Sequence, residues 1–214
     1  MSRTFKIHQD PYCTNETVYT KTSFAFQPGI TVLVGCNGIG KSTLLHRLEE
    51  VLEREHHVPV MMYDNFSCGG DTAKSKAVMR GNMDVAASLM LSSEGEQIYI
   101  NLGETAAEIG RFVRENKGSP ELWFLFDAID SGLSVDNIVE VKKYLFNTII
   151  ADNPNTKIYI IVSANEYEMC RGENCFDTRN GEYLTFPDYE EYRNFILKSR
   201  EEKDNRHKKI RKKK

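Results

Sequence analysis

One glycine-rich stretch concentrates the residue types that could do chemistry. Gly35, Gly40, Lys41 and Ser42 fit the spacing G-x-x-x-x-G-K-[ST], the pattern of a phosphate-binding loop. In such a loop, backbone N–H groups and the positive end of a helix dipole point at the phosphates of a nucleotide. The lysine reaches the β- and γ-phosphates, and the serine hydroxyl holds Mg²⁺. The candidate nucleotide-binding residues are Gly35, Cys36, Asn37, Gly38, Ile39, Gly40, Lys41, Ser42 and Thr43, with Ser42 also a candidate metal ligand.

The segments on either side of this stretch would hold it in place. Residues 30–34 are apolar or β-branched and predict a short buried strand. After the loop, apolar residues fall at helical spacing, namely Leu44, Leu45, Leu48, Val51 and Leu52. A strand, a glycine turn and a helix N-terminus in that order form a cradle for an anion. The sequence therefore predicts nucleotide binding here.

Strands and helices alternate along the rest of the chain. Apolar runs at 58–63, 122–126 and 158–162 predict core strands. Apolar spacing predicts helices over 105–115, after Ser134 and from about Asp188, and the Asn180-Gly181 pair predicts a hairpin turn. Short strands are expected at 5–7 and 17–20. This order predicts an α/β fold with a mostly parallel central sheet flanked by helices, preceded by N-terminal antiparallel strands.

Composition favours one cytoplasmic domain. The chain has 214 residues, 40% of them hydrophobic, and no apolar run approaches the roughly 18 residues of a membrane span. The first residues lack the apolar core of a signal peptide, so we expect no membrane partner. Five cysteines without a C-x-x-C pair favour reduced thiols in the cytoplasm. A bridge between Cys170 and Cys175 is the less favoured alternative.

Charge is distributed unevenly. Residues 203–214 hold eight Lys or Arg and one Asp, or +7, whereas the other 202 residues hold 20 basic and 30 acidic groups, or −10. We expect a nucleotide-binding domain over 1–198, with a small helical insertion at about 66–100, followed by a basic flexible tail at 199–214. The tail could bind nucleic acid, or it could be a solvated end of the chain, and the sequence favours the two equally.

Further stretches carry a resemblance to a known family. Leu125-Phe126-Asp127 ends an apolar run with an acid, Asp130 to Ser134 follows it, and Ser92 to Gln97 precedes it. Together with the glycine-rich loop, these stretches resemble the ABC-type ATPases, particularly the soluble heads of SMC and RecF-like proteins.

The resemblance implies a fold, cofactors and a partner. The fold would be that of a P-loop NTPase, and the cofactors would be ATP and Mg²⁺. In a departure from the family, only about 30 residues separate the strand at 58–63 from Ser92, which leaves a very small helical lobe. Asp127 would support the metal, since a carboxylate suits this hard cation. Ser93, Gly95 and Glu96 would belong to a signature motif that contacts the γ-phosphate bound to another subunit. A homodimer that closes on ATP is therefore expected.

Two departures from the family bear on catalysis. Ala128 stands where hydrolysing members carry a glutamate that activates water, and Ser163-Ala164-Asn165 replaces the usual switch histidine. Asp130, Glu96 or Glu166 could substitute as the base. We expect Mg·ATP binding with slow hydrolysis; the alternatives are a catalytically inactive, ATP-gated dimerisation switch and, less favoured for want of an arginine-rich lid, a small nucleotide kinase.

Two aromatic residues and two strand-end residues leave alternatives open. Tyr12 or Tyr19 could stack on adenine, although sheet packing is the more common role of such residues. Asp64 and Asn65 follow a predicted strand, where they could contact Mg²⁺ or simply form a turn.

Overall fold

The structure, a computed structural model, describes residues 2–7, 19–64 and 94–211, and for 94–104 and 207–211 it describes the backbone alone. Tyr12, Asn65 and Ser93 therefore lie outside the described residues. The predicted helical insertion at about 66–100 lies largely outside them as well.

A six-stranded sheet forms the centre of the fold. Its strands follow the order β4-β5-β6-β3-β7-β8, and all neighbours pair in parallel except β7 and β8. The strands are β3 Gly29–Val34, β4 Val60–Asp64, β5 Glu121–Asp127, β6 Lys157–Ser163, β7 Asn174–Asp177 and β8 Glu182–Leu184. A separate antiparallel pair joins β1 Arg3–Lys6 to β2 Ser23–Phe26. The predicted α/β class with a mostly parallel sheet is confirmed, as is the antiparallel pair.

Within the described residues, the helices that connect the parallel strands are α1 Lys41–Arg54, α2 Glu94–Glu115, α3 Val135–Glu140, α4 Asn147–Ala151 and α5 Tyr167–Cys170. The helix α6 Tyr189–Arg211 follows β8. A π-helical segment, Val141–Phe146, links α3 to α4. Because α6 continues to Arg211, the backbone of residues 199–211 belongs to the helix that begins at Tyr189. The division into a domain and a tail at residue 198 stays a prediction.

The two faces of the sheet pack into two apolar clusters because side chains alternate along each strand. On one face, Val32, Phe124 and Ile160 pack with residues of α3 and α6. On the other, Leu33, Trp123, Leu125, Tyr159 and Ile161 pack with α1 and with β1 and β2. Trp123 and Tyr159 are opposite each other in register and stack with ring centroids 4.0 Å apart. Every residue of β5 is buried, as expected for a strand covered on both faces.

Several local predictions can be compared with the structure. The hairpin between β7 and β8 turns at Gly181, whose φ of 65° suits glycine. Cys36, Cys170 and Cys175 are free thiols, so the alternative bridge between Cys170 and Cys175 is absent. The predicted strand at 17–20 is wrong for its described part, since Tyr19 and Thr20 lie in a bend held by the Thr20 N–H donating to the Arg179 carbonyl at 2.9 Å.

The length and hydropathy of the described helices bear on membrane insertion. No helix in residues 2–7, 19–64 and 94–211 is both long enough and apolar enough to span a bilayer.

Candidate functional site

The glycine-rich loop leaves the carboxyl end of β3, a strand paired on both sides in the sheet. Gly35, Gly38 and Gly40 have φ values of 139°, 75° and 102°, in the region that favours glycine. A Cβ atom on Gly35 would lie 2.8 Å from Cγ2 of Ile39, too close for any larger residue unless the Ile39 side chain or the loop shifts. The loop therefore needs these glycines to form its tight turn.

The side chain of Lys41 joins the two ends of the loop by a hydrogen bond. It is the first residue of α1, only 8% exposed, and its Nζ donates a hydrogen bond to the Gly35 carbonyl at 2.9 Å. Burial lowers the pKa of Lys41, while the carboxylates of Asp130 and Asp127 act in the opposite direction. An ammonium group held in this way, with little water around it, gains strongly from a bound anion.

The first turn of α1 adds to the positive potential. Ser42 and Thr43 are exposed, and the turn carries no acidic residue. The Leu44 N–H donates to the Gly40 carbonyl at 2.9 Å, as the ladder of an α-helix requires. N–H groups earlier in a helix have no such carbonyl, so they face outward at its positive end. Loop and helix together form an anion-binding geometry.

Asp127 lies at the same edge of the sheet, at the carboxyl end of β5. It is 6% exposed, and its Oδ1 accepts a short hydrogen bond from the Ser163 hydroxyl at the end of β6. The Ser163 oxygen in turn accepts the Ala128 N–H at 3.0 Å. Asp64, at the end of β4, is in register with Asp127. The sheet thus brings these polar residues to the edge from which the loop projects.

Ala128 occupies a constrained position. Its φ of 51° is in the left-handed region, which is uncommon for a residue with a Cβ atom. Its methyl group can neither accept a proton nor hold a water molecule. The structure therefore places no base immediately after Asp127.

Asp130 is a buried anchor for the segment after β6. Only 1% of it is exposed, and its Oδ2 accepts the N–H groups of Asn165 and Glu166, both at 2.7 Å. Burial raises the pKa of its carboxyl group, against the effect of these two donors. Its Oδ1 is buried without a hydrogen-bond partner in the part of the chain that the structure describes.

The predicted signature residues can be placed only in part. Ser93 lies outside the described residues, and Gly95 and Glu96 lie in the first turn of α2, where the backbone alone is described. Whether Glu96 or either neighbour takes part in the site stays a prediction.

Tyr19 supports the loop rather than an adenine ring. It is 4% exposed, its ring meets Phe24 edge to face, and its hydroxyl donates to the Gly40 carbonyl at 2.8 Å. Burial raises the pKa of this phenol. With its ring packed in the core, Tyr19 has no free face on which a base could stack.

Sequence reasoning missed two contacts made by the C-terminal helix. The Cys36 N–H donates to the Ser199 hydroxyl at 3.2 Å, and the Lys203 Nζ donates to the Asn37 carbonyl at 2.7 Å. Beside these contacts lies a cavity of about 100 Å³, lined by Asp177, Arg179, Asn180, Phe195, Lys198, Ser199 and Glu202. No local pattern marks these residues, because helix and loop are more than 160 positions apart.

Comparison with known proteins assigns the chain to no family. No protein-family model matches the chain, and no curated protein matches it. Among solved structures, a chain of the HORMA:CdnC:Trip13 complex of E. coli MS115-1 is similar at 16% sequence identity, with a TM-score of 0.38. The match covers 81% of this chain and 54% of that one, so this chain spans about half the length of the solved chain. A likeness this weak supports no argument about fold or function.

Assignment to the ABC-type ATPases is wrong. No family model matches the chain, so only the short motifs themselves supported the assignment. The motifs behind the resemblance have simpler causes, since a polar residue at the end of a buried strand and a serine before a helix are general features. The homodimer closed on ATP, and the role of Ser93, Gly95 and Glu96 in it, were expected from this resemblance alone and stay predictions.

The side chains present fit a magnesium ion. No group of three or more His, Cys, Asp or Glu side chains is placed to hold a metal within the described ranges 2–7, 19–64 and 94–211. Mg²⁺ does not need such a group, because it is usually bound by one or two protein oxygens together with water and phosphate. The Ser42 hydroxyl and the Asp127 carboxylate are oxygen donors of this kind.

Proposed function

We propose that this protein binds a nucleoside triphosphate, ATP, with Mg²⁺ at the loop of residues 35–43, in a fold of the P-loop NTPase type. The observation that carries the proposal is the closed glycine loop itself. Three glycines at positive φ turn the backbone, and the buried Lys41 ammonium bonds across the loop to the Gly35 carbonyl. A phosphate oxygen is a stronger partner for that ammonium than a neutral carbonyl.

The spacing of the strands supports room for the triphosphate. β6 lies between β3 and β5, so two strand intervals separate the loop from Asp127. At about 4.8 Å per interval, the ends of β3 and β5 are roughly 10 Å apart, with the end of β6 between them. A terminal phosphate with its metal ion would lie beyond the end of β6, between the loop that follows β3 and the Asp127 carboxylate.

Ser42 and Asp127 would hold the magnesium ion, which supplies positive charge to the phosphate oxygens. The hydrogen bond from the Ser163 hydroxyl fixes the orientation of the Asp127 carboxylate. The Ala128 N–H fixes the Ser163 hydroxyl in turn. The acid is therefore held in one orientation before any ligand arrives, which lowers the cost of binding.

We propose that hydrolysis is slow. Positioning and charge provide most of the catalysis of phosphoryl transfer, and Lys41 and the loop supply both. A general base contributes about 10²–10⁴-fold, and Ala128 cannot be one. Asp130 remains a candidate base with one unpartnered oxygen, but its other oxygen is tied to the backbone of Asn165 and Glu166.

A second candidate function is an ATP-gated switch that does not hydrolyse its ligand. The same two observations favour it, namely the alanine after Asp127 and the tied Asp130 carboxylate. Nucleic acid as a partner is a further proposal that rests only on the charge of residues 203–214. A cytoplasmic location is likewise proposed, on the free thiols of Cys36, Cys170 and Cys175.

Steady-state phosphate release from Mg·ATP tests the proposal and separates its two forms. We expect turnover at least about a hundredfold below the roughly 10 per second of a typical enzyme. Lys41→Ala should abolish release. Lys157→Ala is the matched control, because Lys157 is an exposed lysine at the opposite end of β6. Release that persists in Lys41→Ala would mean that another site or a contaminant is responsible. No release from a wild type that binds Mg·ATP in a separate titration would favour the switch, and no release without binding would contradict both forms.

A further inference from the structure

The C-terminal helix α6 forms hydrogen bonds to the phosphate loop through two residues on one of its faces. Ser199 and Lys203 are four positions apart and therefore neighbours on the helix surface. The Ser199 oxygen accepts the Cys36 N–H at 3.2 Å, and the Lys203 ammonium donates to the Asn37 carbonyl at 2.7 Å. Two peptide groups of the loop, 35–36 and 37–38, are thus held by α6.

The Lys203 ammonium lies directly against the tip of the loop. A Cβ atom built on Gly38 would be 3.3 Å from the Lys203 Nζ, so a side chain at position 38 would press on this group. Gly38 also has a φ of 75°, where glycine is favoured. Because Gly38 has no side chain, the Lys203 ammonium can lie close to the loop backbone. The Lys41 ammonium already bonds to the same loop, at the Gly35 carbonyl.

The charge of Lys203 has no partner carboxylate among the residues whose side chains are described. Its neighbours on α6 are paired elsewhere, Glu202 with Arg179 and Asp204 with Arg200. Among the described side chains and backbone, Lys203 bonds to the neutral Asn37 carbonyl alone. A long side chain loses rotamer freedom when it is held in this way, and its one bond to a neutral carbonyl leaves the charge without a counter-ion. A bound polyphosphate would supply the missing anion.

We propose that Lys203 is a second cation of the phosphate site, supplied by the C-terminal helix, which acts with Lys41 to neutralise the bound triphosphate. This inference rests on the function proposed above. It extends the site beyond the loop motif to residues that no nucleotide-binding pattern includes. The flexible side chain lets the ammonium turn from the Asn37 carbonyl toward a phosphate oxygen without movement of α6.

Titration of Mg·ATP into single variants tests the inference. Lys203→Gln keeps a donor for the Asn37 carbonyl but removes the charge, and Lys203→Arg keeps the charge. Lys198→Gln is the matched control, because Lys198 is an exposed lysine of the same helix without a hydrogen bond to the loop in the described structure. We expect the Kd to rise about tenfold for Lys203→Gln and to stay within about twofold of the wild type for the other two.

Two further readouts separate charge from structure. The loss in Lys203→Gln should shrink at high ionic strength, because salt screens an exposed charge, and inorganic tripolyphosphate should show the same loss as ATP. Thermal unfolding without ligand should be unchanged. If Lys203→Gln binds as tightly as Lys198→Gln, the inference is overturned, while a large loss in Lys41→Ala would still support the proposed function. If the wild type binds neither ligand, both fail.

Discussion

At the scale of one residue, Lys41 is the centre of the proposed anion site. Its ammonium is buried at the start of α1, beside the carboxylates of Asp127 and Asp130, and donates to the Gly35 carbonyl. Burial lowers its pKa because the charged form has lost water. Bound phosphate would restore a favourable environment for the charge and raise the pKa again.

The difference between the pKa of Lys41 in the free protein and its pKa in the complex predicts that nucleotide binding takes up protons at alkaline pH. Phosphate binds the protonated lysine, so affinity should be highest below the pKa of Lys41 in the free protein and fall as the pH rises through it. Between that pKa and the higher one in the complex, binding should take up as much as about one proton per site. Calorimetric titration in two buffers with different enthalpies of ionisation measures this uptake. Equal heats in both buffers across the alkaline range would contradict it.

At the scale of elements, the loop depends on segments distant in the sequence. Tyr19, which precedes β2, donates its hydroxyl hydrogen to the Gly40 carbonyl, and α6 holds Cys36 and Asn37. The loop is thus supported from both ends of the chain. Each contact fixes a peptide group next to one of the glycines that form the turn.

Tyr19→Phe tests this support. The ring and its edge-to-face contact with Phe24 remain, but the Gly40 carbonyl loses its donor. We expect the free energy of unfolding to fall by about 1 kcal/mol, the usual net contribution of such a bond. Urea denaturation measures it, with Tyr144→Phe as the control, since Tyr144 is 62% exposed. Equal losses in both variants would mean that the bond to Gly40 contributes nothing specific.

The same elements show what the sequence could predict. β5 and β6 are continuous apolar runs, and the hairpin carries an Asn-Gly pair, so local patterns were sufficient for them. Local patterns did not predict residues 17–20 correctly. The Tyr19 hydroxyl bonds to the Gly40 carbonyl and the Thr20 N–H to the Arg179 carbonyl, and these distant contacts hold Tyr19 and Thr20 in a bend. Ser199 and Lys203 were missed for a related reason: only the folded chain brings α6 to the loop.

At the scale of the whole molecule, the order of the strands assembles the candidate site. The loop, Asp127 and Ser163 come from three adjacent strands, β3, β5 and β6, that end at one edge of the sheet. The glycine pattern predicted the loop, because a loop whose backbone N–H groups can surround a phosphate needs glycines at this spacing. The pairing of Ser163 with Asp127 could not be read from the sequence, because it depends on β6 lying beside β5.

Calorimetric titration of Mg·ATP into the wild type, Lys41→Ala and Lys157→Ala tests the central claim most directly. We predict one site per chain in the wild type and in Lys157→Ala, with binding at least about a hundredfold weaker in Lys41→Ala. Circular dichroism should show that all three are folded. Binding to Lys41→Ala as tight as to the wild type, or no binding to the folded wild type, would contradict the assignment of residues 35–43 as a nucleotide site.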